Sequence, residues 1–124
     1  IDIVVSPEDG YWSDVWLVEP FVTVWWGGRP PYEAFSVVYK GGGSWNESKY
    51  ANARVDELID LGMQKSGIED QKAIYGELQC IVVDEVPRIV PVFRPVLLGL
   101  RNDVRGMVPM WDATMSLHRA WLDR

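Results

Sequence analysis

Residues 45–67 read WNESKYANARVDELIDLGMQKSG, and the periodicity of this stretch organises the whole chain. Asn52 is a strong helix N-cap type, because its side-chain oxygen can accept from the unpaired N–H groups of the first turn. Asp56 and Glu57 follow in that turn, where the helix macrodipole favours acids. Val55, Leu58, Ile59 and Gly62 recur at spacings of three and four, so they draw one apolar face. The stretch predicts an amphipathic helix that opens at Asn52 and breaks at Gly67.

Working outward, a second helix is predicted from about Glu69 to Glu85, with Ile74, Leu78, Ile81 and Val82 as its buried stripe and Pro87 as its stop. The segment RIVPVFRPVLLGLRNDVRGMV, residues 88–108, then has strand composition interrupted by Pro91 and Pro95, which cannot donate to a ladder. Val96 to Leu100 is the better strand, followed by a turn at Arg101–Asp103 and a short helix over Met115 to Leu122. Upstream, Gly41–Gly43 reads as a flexible connection and Tyr32 to Tyr39 as a helical piece. Phe21 to Trp26 is β-branched and aromatic, which predicts a strand. Before it, Ser6, Pro7 and Asp9 form a helix start of the capping-box kind, closed by Pro20. On that helix Trp12 and Trp16 share a face. Ile3 to Val5 reads as a strand.

With 48% hydrophobic and 24% charged residues over 124 positions, the chain has the composition of a folded domain. Its net charge of −6 repels phosphate backbones and argues against nucleic acid as a partner. Cys80 is the sole cysteine, which rules out an internal disulfide; its place in the second long helix reads as a buried, inert thiol. No apolar run is long enough for a membrane helix. The opening residues IDIVV carry no Met and no basic, cleavable leader, so the expectation is a matured product or a piece of a larger protein.

Catalytic motifs are not found. Walker, GxSxG and HExxH patterns are missing, and His118 has no Cys, Ser or carboxylate pattern to recruit it. The reading is no enzyme, no cofactor, no catalytic residue and no metal ligand. Asn46–Ser48 matches a glycosylation acceptor pattern too short to carry weight. The tryptophans stand out, because a domain of this size has little packing need for seven of them and four fall between Asp9 and Pro30. Trp is a rigid, amphipathic surface suited to ligand contact. Arg29 adds a fork-shaped donor beside Trp25 and Trp26. Trp12, together with Trp45 and Asn46 at the aromatic–Asn turn before the central helix, completes the candidate ligand-binding set. A free-standing, aromatic-lined carbohydrate-binding module is the alternative reading of these residues.

DGYWSDVW, then PF and WWGGRP, then WNESKYANARVDELI, IYGELQCIVVDEVPRIVPVF and LRNDVRGM follow one another along nearly the whole chain. In this order and spacing they resemble the extracellular solute-binding proteins of ABC importers, in the peptide- and nickel-type class. Two positions depart from the family pattern, Gly67 and Gln71, where an Asp cap and an Arg are usual. The resemblance implies a mixed α/β (α+β) fold that is part of one lobe of a two-lobed, type II-like periplasmic binding protein. Residues 1–90 would be a lobe segment and residues 91–124 a return segment towards the other lobe, the whole forming the C-terminal part of such a protein. It implies capture of a small solute, a peptide or peptide-like molecule, and delivery to ABC permease subunits from a periplasmic or extracellular location, free or lipid-anchored. Peptide-binding relatives carry an acid near the segment matched by WGGRP; here Arg29 stands there, which points to an anionic or carboxylate-bearing ligand. An uncovered lobe interface would favour a homodimer of the piece.

Overall fold

The structure, a computed structural model, describes residues 2–110 and 114–123. Among these described residues are three α-helices and two small antiparallel sheets, a mixed α+β arrangement. The chain divides into two compact units, Ile1–Val24 with Pro30–Ile89, and Trp25–Arg29 with Val90–Arg124.

The first unit is helical. Helix α1 spans Pro31–Val38, with Pro31 at the first position, where its missing N–H costs nothing. Helix α2 spans Ala53–Gln64, and the Asn52 side chain accepts from the N–H groups of Arg54 and Val55, as its residue type predicts. Helix α3 spans Ile68–Glu85 and ends where Val86 turns left-handed just before Pro87. Val55, Leu58, Ile59, Ile74, Tyr75 and Leu78 form the core between α2 and α3, with Phe35 of α1 packed against it. Gly62 makes this crossing possible: a Cβ there would lie 2.7 Å from Cζ of Tyr75. Tyr75 in turn stacks on Phe35 at 5.8 Å between ring centroids.

Several sequence expectations give way in this unit. The helix expected from Ser6 to Pro20 is a single π-helical turn, Tyr11–Val15. Gly10 at φ 95° and Leu17 at φ 63° leave helical space on either side, so the turn cannot propagate. Ile3 to Val5 forms no ladder among the described residues and is exposed. Gly41–Gly43 is a built turn, not a flexible connection: Gly41 N–H donates to Asp56 Oδ1 at 2.8 Å, and Gly43 N–H to the Lys40 carbonyl at 2.8 Å. Cys80 is exposed, because it lies about 200° around α3 from buried Leu78.

The second unit carries the sheets. Strands β1 (Val104–Arg105) and β4 (Trp121–Leu122) pair antiparallel, as do β2 (Val108–Pro109) and β3 (Met115–Ser116). The two ladders are nested, and the return arm holds two more residues between them than the outgoing arm, taken up in the turn where Ala120 N–H meets the Leu117 carbonyl. Gly106, at φ 72°, lets the arms close over this surplus: a Cβ on it would fall 2.0 Å from the Arg119 carbonyl oxygen. The short helix expected at Met115 to Leu122 is therefore β3, a turn and β4. Val96 to Leu100 and Phe21 to Trp26 are without ladder partners among the described residues, so neither is a strand.

Candidate functional site

The six residues singled out by type fall three to each unit. Trp12, Trp45 and Asn46 belong to the helical unit; Trp25, Trp26 and Arg29 belong to the second.

In the helical unit, the π-turn stacks Tyr11, Trp12 and Trp16 edge to face, each neighbouring pair 5.3 Å apart between centroids. Tyr11 Oη donates to the Thr23 carbonyl at 2.8 Å, which fastens the turn to the chain that follows it. Trp16 Nε1 donates to Glu47 Oε1 at 2.6 Å, and the other Glu47 oxygen takes the Arg88 guanidinium. Both ionic side chains are largely withdrawn from water, at 11% and 17% exposure. Arg88 also lies 6.0 Å from the centroid of Tyr39, whose hydroxyl is pushed up in pKa by burial first, drawn back in part by Arg88 and raised further by Glu47. Glu47 is thus a node that ties the N-terminal arm, the α1–α2 loop and the end of α3 together. Sequence offered no sign of it, since Glu47 and Arg88 stand 41 residues apart.

Asn46 is buried, and its amide is spent on the loop: Nδ2 donates to the Lys40 and Tyr50 carbonyls at 3.1 and 2.7 Å, and Oδ1 accepts from Tyr50 N–H at 3.0 Å. Its chemistry is that of a loop organiser. Trp45 is half-buried, with its backbone N–H on the Val37 carbonyl, while Trp12 is exposed although it is the middle ring of its aromatic stack. Beyond this loop, Glu85 accepts from Tyr50 Oη and Asn52 Nδ2, which holds its carboxyl below the usual range.

In the second unit Trp26 and Arg29 are half-buried and Trp25 is exposed. The Arg94 guanidinium stacks over the Trp25 ring at 4.1 Å from its centroid. Trp25, Arg94, Pro95, Val96 and Leu97 line an open cleft of about 440 Å³. Val96 and Leu97 also border a smaller cleft of about 260 Å³ that reaches Pro109 and Met115. Arg94 was missed from sequence, although an arginine held between prolines in an apolar run, PVFRP, is itself unusual. Chemically the cleft offers one flat π-surface, one guanidinium and an apolar wall, a combination suited to binding.

Comparison with protein-family models, curated proteins and solved structures finds no match to this chain. The residues themselves therefore carry the functional reading. Among the described residues no three His, Cys, Asp or Glu side chains gather as metal ligands, and no helix is long and apolar enough to cross a membrane. His118 Nδ1 lies 2.7 Å from Ser116 Oγ on an exposed turn, with no carboxylate on the ring among the described residues.

Proposed function

We propose that the chain forms part of the substrate-binding component of an ABC importer, which captures a peptide or peptide-like solute and hands it to a membrane permease. The cleft beside Trp25 carries the reading. It brings an indole, a guanidinium and apolar side chains together along one open concavity, the mix of groups that small-molecule sites use. The ordered sequence segments that resemble such binding proteins support it from another side. In this reading the helical unit is part of one lobe of a type II-like binding protein, and residues 91–124 lead towards the other. Val92, Phe93 and Leu97, exposed at 72%, 89% and 87%, are then apolar surface for the rest of the protein or its ligand to cover.

The test is calorimetric titration of the complete protein that carries this chain with a panel of short peptides and a panel of glycans. Saturable peptide binding with a Kd on the order of micromolar or below, about −8 kcal/mol, supports the proposal. Glycan binding without peptide binding overturns it in favour of a carbohydrate-binding module, and the absence of binding from both panels overturns it outright.

A further inference from the structure

Arginine is the only cation that the second unit uses. By sequence it holds six arginines against three aspartates, a net of +3, while the helical unit holds fifteen carboxylates against six cations, a net of −9. An acidic chain has thus concentrated positive charge in the unit that contains the cleft. The side chain is also a specific choice, since a planar guanidinium meets a carboxylate with two parallel donors where an ammonium offers a point charge.

Most arginines with defined partners here are already neutralised. Arg54 meets Glu57 and Glu77, Arg88 meets Glu47, Arg101 meets Asp103, and Arg105 meets Asp123. Arg94 instead rests on the Trp25 ring and makes no ion pair among the described residues. A guanidinium that rests on a ring by its face keeps its in-plane N–H donors for another partner. Ordering a long side chain costs rotamer entropy, and the indole has already met part of that cost before a ligand arrives. Beside the guanidinium, Pro95, Val96 and Leu97 supply a wall with no charge and no side-chain hydrogen-bonding group. A cleft of about 440 Å³ is small for a macromolecule and adequate for a solute of dipeptide size.

We infer that Arg94, stacked on Trp25, anchors the carboxylate of a solute whose body is apolar, the body lying along Pro95, Val96 and Leu97. This rests on the solute-capture reading and names the class of solute and the side chain that selects it. A carboxylate ends both a peptide and a simple organic acid, so the shared chemistry is the carboxylate and the source is separated by experiment.

The full chain is titrated by calorimetry with N-acetyl-phenylalanyl-leucine, with the same peptide ending in an amide, and with phenylpropionate. The acid peptide is expected to bind at least tenfold more tightly than the amide, about 1.4 kcal/mol. Arg94→Gln is expected to erase that preference, Arg94→Lys to keep part of it, and Trp25→Leu to weaken acid binding, all with an unchanged circular dichroism spectrum. Phenylpropionate matching the acid peptide supports a simple carboxylate as the natural source; weaker binding supports a peptide C-terminus. Equal affinity for acid and amide, or an undiminished acid preference in Arg94→Gln, overturns the assignment while solute capture still stands. Failure of both peptides to bind overturns it as well, and the peptide panel on the complete protein then decides separately whether solutes are captured at all.

Discussion

Truncating Glu47 should cost more than any change to an exposed carboxylate. The Glu47 and Arg88 side chains keep only 11% and 17% of their exposure, so Glu47→Ala leaves a guanidinium largely out of water without its counter-charge and takes the acceptor from Trp16 Nε1. Breaking a fully buried pair costs about 3–5 kcal/mol, whereas exposed pairs contribute roughly 0–1 kcal/mol. Partial exposure and one lost hydrogen bond place Glu47→Ala at about 2–3 kcal/mol. Urea unfolding followed by far-ultraviolet circular dichroism reads this directly from the helices. Arg88→Ala and the double variant complete a cycle, with a coupling of about 1–2 kcal/mol expected. Glu47→Gln should fall between wild type and Glu47→Ala, because it can still accept from Trp16 while losing the charge. A loss below about 0.5 kcal/mol for Glu47→Ala, or additive single variants, would refute the node.

Three further outcomes follow from local chemistry. The Tyr75 hydroxyl is buried with no hydrogen-bond partner among the described residues, so Tyr75→Phe should leave stability unchanged or raise it by up to about 1 kcal/mol in the same assay, and a loss of that size would contradict the packing. Tyr50 has its pKa pushed up to about 12, by burial first and then by its hydrogen bond to Glu85. The folded form holds that proton more tightly than the unfolded form, so this contribution is complete below pH 10.0 and is lost as pH rises towards about 12. Thermal melts across that window should fall less steeply for Tyr50→Phe than for wild type; identical slopes would refute the assignment. Gly106→Ala places a methyl against the Arg119 carbonyl at a left-handed φ, so the β1–β4 ladder should lose amide-exchange protection at Trp121 and Asp123 while α2 and α3 keep theirs.

Helices α2 and α3 were legible because their information is local. An Asn cap, acids in the first turn and apolar residues at spacings of three and four identify both an element and its buried face, and Val55, Leu58, Ile59 and Gly62 are the buried residues of α2. Strands were not legible in this way. Phe21 to Trp26 has the composition of a strand but no pairing partner among the described residues, and Met115 to Leu122 pairs with residues 104–109 by contacts that its own sequence does not signal. The candidate site divides along the same line. Trp25 was found by residue type alone, whereas its partner Arg94 comes from a distant stretch and needed the fold to bring it there. Asn46 shows the reverse: a polar residue beside a tryptophan suggested a ligand contact, and the backbone of its own loop uses its amide.

Uptake by cells tests the proposed solute capture for import most directly. Source cells lacking the gene for this chain are supplied with labelled short peptides and peptide-like acids, with and without the gene restored. Uptake of at least one such solute should be lost on deletion, return with the wild-type gene, and return only weakly with Arg94→Gln. Undiminished uptake of every solute in the deleted cells would contradict it.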